Sequence, residues 1–200
     1  MHGNVAIIDA GGANIASLQF ALDRLGVKGR LTTDAATIRS ASHVILPGVG
    51  AAAAAMAKIR SLELEHIIPQ LRQPVLGICL GMQLMAARSE EDNEECLGIF
   101  PESARRLTAR PGSPVPNMGW CELTCKGNHG LLAGIRDGSW FYFVHSYALP
   151  VFENTIGTAV HGSEFSAVVS RDNFHATQFH PERSSVAGSR LLRNFLEMKR

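Results

Sequence analysis

A chain of 200 residues, 46% of them hydrophobic, suits one domain (1–200) with a substantial core. Charged residues are only 18% and the net charge is +1, which argues against nucleic-acid partners and against a membrane surface. There is no apolar run of spanning length and no basic-then-apolar leader, and four Cys in a chain of this size do not suggest a disulfide framework, so the expectation is a soluble cytoplasmic protein.

Asn4 to Ile8 reads as a buried strand ending at Asp9. Ala10 to Asn14 is a Gly-rich loop with neither the dinucleotide nor the Walker spacing. Asn14 is read as the N-cap of a helix running to about Leu25, with Ile15, Leu18, Leu22 and Leu25 on one face and Gly26 as its stop. A short strand at Arg30–Thr32 and a short helix begun by Asp34 follow. His43 to Leu46 is the next strand, and Pro47-Gly48-Val49-Gly50 is the loop at its end. An Ala-rich helix from about Ala51 to Ile59 and another from about Glu63 to Arg72 lead to Pro74. This alternation predicts an α/β fold with a doubly wound, mostly parallel central sheet, and puts the loops after Ile8, Leu46 and Ile78 along one edge, where such sheets bind ligands.

The next strand carries the chemistry. Val75 to Ile78 is apolar and runs into Gly77-Ile78-Cys79-Leu80-Gly81, followed by a helix-compatible segment from about Met82 to Arg88. A nucleophile between two glycines at a strand-to-helix turn is a nucleophile elbow, here with Cys in place of Ser. The turn exposes the sulfur at the sheet edge, and the helix N-terminus behind it favours thiolate over thiol. A buried structural cysteine is the alternative left open by these residues alone.

Beyond an acidic loop (Glu90 to Cys96) and a Pro/Gly-rich connector (Ala109 to Pro116), short strand-like runs alternate with turns: Trp120–Cys125, Ser139–Val144, Thr155–Val160, Ala167–Ser170 and Phe174–Phe179. They predict an antiparallel extension of the sheet. A final helix from about Ala187 to Met198 puts Leu191, Leu192, Phe195 and Leu196 inward.

A thiol needs a base, and the base an orienting group. Of eight His, His180 stands out, because Pro181-Glu182 follows it at the end of a strand-like run. Pro181 keeps His180 out of the α region. On an extended chain Glu182 points the same way and can accept from one imidazole nitrogen, leaving the other for a thiol. His145 lacks a carboxylate at such spacing and reads as structural. Cys121, Cys125 and His129 supply one C-x-x-x-C pair without a convincing fourth ligand, so no metal is expected.

Gly77-Ile78-Cys79-Leu80-Gly81-Met82-Gln83, with His180-Pro181-Glu182 about a hundred residues on, resembles the class I (triad-type) glutamine amidotransferases, whose fold is flavodoxin-like. Pro47 to Gly50, Pro116 to Trp120, Tyr142 to Tyr147 and Gln178 to Ser184 extend the likeness, over nearly the whole chain, to the branch that serves as glutaminase subunits of imidazole glycerol phosphate synthases in histidine biosynthesis. The chain departs from that branch at Asp9-Ala10-Gly11-Gly12-Ala13-Asn14 (commonly Tyr-Gly-x-Gly-Asn), at Asn117 (usually His) and at Cys121 (often Asn). The resemblance implies glutamine hydrolysis with Cys79 as nucleophile, His180 as proton shuttle and Glu182 as its orienting carboxylate. It puts Leu80 and the Gly48-Val49-Gly50 loop at the oxyanion, and Gln83, Ser146 and Tyr147 in the substrate pocket. It implies no cofactor, and a heterodimer with a (β/α)8 synthase partner. The other readings are a glutaminase of another pathway such as pyridoxal phosphate synthesis, a cysteine peptidase, or a flavodoxin-like binding module. The first is disfavoured because Pro47 to Gly50 replaces a Gly-Gly-Glu-Ser motif, and the second because papain-type signatures are absent.

Overall fold

The computed structural model describes residues 4–11 and 15–199; the N-cap read at Asn14 falls outside them. In chain order the elements are β1 (Val5–Ile8), α1 (Ile15–Arg24), β2 (Gly29–Thr32), α2 (Ala35–Ser40), β3 (His43–Gly48), α3 (Ala52–Ser61), β4 (Val75–Cys79) and α4 (Leu80–Leu84). Then come β5 (Arg88–Ser89), β6 (Glu94–Glu95), β7 (Ser103–Arg106), β8 (Asn117–Cys125), β9 (Ser139–His145), β10 (Tyr147–Ala148), β11 (Thr155–His161), β12 (Ser163–Arg171), β13 (Phe174–Thr177) and α5 (Ser185–Glu197). Among the described residues the main sheet has nine strands in the order β2-β1-β3-β4-β13-β12-β11-β8-β9. Pairing is parallel from β2 across to β13 and antiparallel beyond it. This is the α/β arrangement that the alternation in the first half and the short runs in the second predict.

Strand period two divides the core between the two faces. Ala6, Ile8, Val44 and Leu46 pack with Ile38, Met56 and Ile59 from α2 and α3. Val5, Ile7 and Ile45 pack with Leu18 and Leu22 of α1 and with Leu191, Leu192 and Phe195 of α5. Buried on both sides, the central strands read as continuous apolar runs. Asp34 caps α2, its carboxylate accepting from the Thr37 N–H at 2.7 Å.

Three expectations are corrected. Between α3 and β4 there is no helix from Glu63 to Arg72 but a single 3-10 turn, Ile68–Gln70; Glu63 sits at φ 55°, which ends α3's helical path, and Pro69 supplies no N–H to continue one. The helix behind Cys79 runs Leu80–Leu84 rather than Met82 to Arg88, and Arg88 already belongs to β5. The acidic loop is not a bare loop: its Glu94–Glu95 and the flanking β5 and β7 join the distant β10 in a second, four-stranded sheet, β10-β7-β5-β6. No helix among the described residues is long and apolar enough to cross a membrane.

Candidate active site

β4 passes into α4 with no intervening loop, and Cys79 makes the turn at φ 53°, ψ −108°. A side-chain-bearing residue reaches such backbone only when its surroundings impose it, at about 1–3 kcal/mol. The flanking glycines are what make the turn possible. A Cβ on Gly81 would lie 1.8 Å from the Leu46 carbonyl oxygen, and one on Gly77 2.9 Å from the Gly81 oxygen. β3, β4 and α4 are thus in backbone contact, and Gly48, the last residue of β3, pairs with Cys79. Gly50 sits at φ 103°, which glycine alone adopts without strain. The N–H of Val49 between them makes no hydrogen bond among the described residues.

His180 is brought to the elbow by β13, which pairs with β4. Its Nδ1 lies 2.8 Å from Glu182 Oε1, both side chains being buried. The expectation of an extended His-Pro-Glu is half right: His180 itself is extended, but Pro181–Arg183 form a 3-10 turn, and that turn folds the carboxylate back onto the ring. The loop is fastened to β9. The His180 N–H donates to the Tyr142 carbonyl at 2.9 Å, while the Ser184 hydroxyl donates to the His180 carbonyl at 2.6 Å and accepts from the Tyr142 N–H at 3.0 Å. Gly188 lets α5 lie against this turn, since a Cβ there would meet the Pro181 oxygen at 2.0 Å.

Burial alone would push the His180 imidazole down, but the Cys79 sulfur and the Glu182 carboxylate outweigh it and raise it to about 10. His180 Nε2 is buried with no hydrogen-bond partner among the described residues, and Cys79 Sγ lies 3.6 Å from the Val144 carbonyl, to which a thiol donates. Catalytic hydrogen bonds often close only when substrate arrives.

The sulfur opens into a cavity of about 330 Å³. Val49, Gly50, Leu80, Gln83, Ser146 and Tyr147 line it, together with Cys79. Gly48, His180 and Glu182 do not; with Val49 they line a smaller space on the far side of that residue. His145 is on the cavity wall as well, its Nδ1–H donating to the Tyr147 carbonyl at 2.8 Å and its Nε2 accepting from Asn117 Nδ2 at 3.1 Å. Burial pushes it down to about 4, so the ring stays neutral. Two residues that sequence reasoning missed are here. Glu91, from the acidic loop, reaches the cavity while accepting from the Ala52 N–H at the start of α3 at 2.8 Å; nothing in its spacing to Cys79 signals this. Gln178 touches the sulfur, and its place two residues before His180 was the available signal. Cys121 lies against Asn117, and His129 against Ser170.

A profile of the family described as glutamine amidotransferase class-I matches residues 6–198. The imidazole glycerol phosphate synthase subunit HisH of Xanthomonas axonopodis pv. citri is 49% identical over 195 residues, covering 98% of each chain. That of Xylella fastidiosa is 48% identical over 194 residues, covering 97% of each. Among solved structures, a glutamine amidotransferase from Thermotoga maritima superposes with a TM-score of 0.71 at 15% identity, covering 99% of this chain and 100% of that one; at that identity the likeness is one of fold.

Proposed function

The chain belongs to the class-I glutamine amidotransferases, and on that premise we propose that it is the glutaminase subunit of an imidazole glycerol phosphate synthase, serving histidine biosynthesis in the cytoplasm. The observation that carries the chemistry is the strained Cys79 elbow facing an imidazole whose other nitrogen is held 2.8 Å from a buried carboxylate.

Cys79 Sγ attacks the side-chain amide carbon of L-glutamine. Negative charge gathers on the amide oxygen, and the Leu80 and Val49 N–H groups are its donors. His180, protonated, gives its proton to the departing nitrogen, so that ammonia leaves and a γ-glutamyl thioester remains. His180 then takes a proton from water, the resulting hydroxide attacks the thioester, and glutamate departs as the proton returns to the sulfur. Glu182 orients the ring and supports its charge in both steps. The cavity volume suits an amino acid of glutamine's size. Glu91 supplies a carboxylate for the α-ammonium group, and Gln83, Ser146 and Tyr147 the polar wall.

The ammonia passes to the (β/α)8 synthase partner. The docking face in this reading is β8, where Met118 and Trp120 are 65% and 47% exposed. Trp120 meets Tyr142 edge-on, and Arg183, next to Glu182, stacks its guanidinium over that ring at 4.7 Å. In this reading the docking face and the catalytic turn meet at Tyr142.

The test is a steady-state assay of the isolated glutaminase, of its complex with the synthase, and of that complex with acceptor nucleotide. Activity should be poor in isolation and rise in the full system by on the order of 10²–10³, the worth of one oxyanion donor, as the Val49 peptide turns its N–H inward. Cys79→Ala should abolish glutamine-dependent synthesis and leave ammonium-dependent synthesis intact. Glutamine use by the Cys79→Ala complex would sink the nucleophile assignment. Equal rates in all three conditions would sink the activation, and activation surviving Gly50→Val would remove the Val49 peptide as its cause.

A further inference from the structure

We propose that Gln178 is a catalytic donor to the Cys79 sulfur, holding it as a thiolate with its side-chain amide; the inference rests on Cys79 being the nucleophile of the reaction proposed above. Gln178 follows β13 directly and is fully buried. Its Nε2 lies 3.8 Å from Cys79 Sγ, within reach of a hydrogen bond to sulfur.

The orientation of the amide follows from elementary chemistry. The Tyr147 carbonyl can only accept, and two groups meet it: His145 Nδ1 at 2.8 Å and Gln83 at 2.8 Å. Gln83 must therefore present its NH2 group to that carbonyl. The same nitrogen lies 3.1 Å from the Gln178 side chain, so Gln178 must present its oxygen there. Its own NH2 is then turned to the sulfur. One backbone carbonyl thus fixes the polarity of a buried chain, Tyr147 C=O, Gln83, Gln178, Cys79.

A merely structural glutamine would place its NH2 on an oxygen. Among the described residues the sulfur is the one acceptor that Gln178 Nε2 meets. A neutral thiol is a weak acceptor, and a buried amide donor left on it is poorly compensated. A thiolate is a strong one, so the burial of Gln178 favours ionisation. The Val144 carbonyl acts in the opposite sense, because it can only accept and so favours S–H. The sulfur lies between a group that selects thiol and a group that selects thiolate. The ionisable groups around it are His180 and Glu182 on the 3-10 turn after β13, His145 on β9, and Glu91 and Tyr147 on the cavity wall. Of these, His180 is close enough for the sulfur to raise its value, yet its Nε2 makes no hydrogen bond among the described residues, whereas Gln178 Nε2 donates to the sulfur.

The experiment is alkylation of Cys79 by iodoacetamide in the full-length protein across pH, followed by mass spectrometry of the peptide that carries it. Gln178→Met keeps the volume and removes the donor. It should raise the midpoint of the pH profile by about one unit and slow alkylation at neutral pH roughly tenfold. Gln178→Glu, whose carboxylate opposes a neighbouring thiolate, should raise the midpoint further. Unchanged midpoints in folded variants overturn the proposal. If neither variant folds, protein with glutamine side chains labelled with ¹⁵N answers the question. One side-chain NH2 pair should titrate with the alkylation midpoint and stop doing so in Cys79→Ala; no such pair would overturn it. Alkylation reads the sulfur whether or not glutamine is hydrolysed. A Gln178-dependent midpoint without glutaminase activity would sink the function and keep this inference, and glutaminase activity with a Gln178-independent midpoint would do the reverse.

Discussion

A cysteine at φ 53° does not hold its own conformation; Gly77 and Gly81 hold it by letting backbone pass where a methyl group would collide. His180 depends similarly on Tyr142 and Ser184, which fix its backbone, and on Glu182, which fixes its ring. These dependencies rank the substitutions. His180→Ala removes the proposed proton shuttle and should cost more turnover than Glu182→Gln, which keeps the shape and loses only the supporting charge. Steady-state kcat with glutamine in the synthase complex decides it, and near-normal turnover in His180→Ala with a complete loss in Glu182→Gln would reverse the roles. The turn at Cys79 and the meeting of His180 with Glu182 were legible in the sequence because they sit in short local patterns. Gln178 shared the local signal of His180 but not its contact with Cys79, and Glu91 carried no signal, since what makes both contacts is the meeting of segments far apart in the chain. Asn117 and Cys121, the two departures on β8, touch one another, and Asn117 bonds His145. They adjust a single buried contact behind the cavity wall rather than two separate ones.

Among the elements, α5 shows most plainly how packing serves the site. Its apolar positions were readable from their helical spacing, but its start at Ser185 and its close approach to the catalytic turn were not. Gly188 permits that approach. Gly188→Ala places a methyl group on the Pro181 carbonyl oxygen, so either α5 or the Pro181–Arg183 turn must move. The expected outcome is a stability loss of about 1–3 kcal/mol in urea unfolding, as for other overpacked sites, together with a fall in glutaminase kcat. Normal kcat at normal stability would show that the turn does not need α5 where it lies. β5, β6 and β7 were illegible for a different reason: β5 and β6, at two residues each, present no period, and β7, Ser-Ala-Arg-Arg, has no apolar run, so only their pairing defines them.

Over the whole molecule, buried histidines set the response to acid. Burial pushes His145 and His175 down to about 4. Between the ordinary value of 6.5 and about 4 the unfolded chain takes up these protons and the folded one does not, so stability falls as pH drops through that window and levels off below it. Each group contributes about 3 kcal/mol at most, at 1.36 kcal/mol per unit. The raised value of His180 acts elsewhere: its contribution is lost as pH rises toward 10 and is complete below 6.5. The urea midpoint should therefore decline between pH 6.5 and pH 4, and His175→Gln should flatten part of that slope; a level midpoint across the window would contradict the assignment. The sheet has one more consequence. β9 is its last strand, and an unpaired strand edge invites pairing with other chains. Here the outward backbone groups of Tyr142 meet His180 and Ser184, and the Val144 carbonyl meets Cys79. The reactive residues double as the strand's protective cover, so damage that unseats the catalytic turn uncovers an adhesive edge and leads toward self-association and aggregation, not merely toward lost activity.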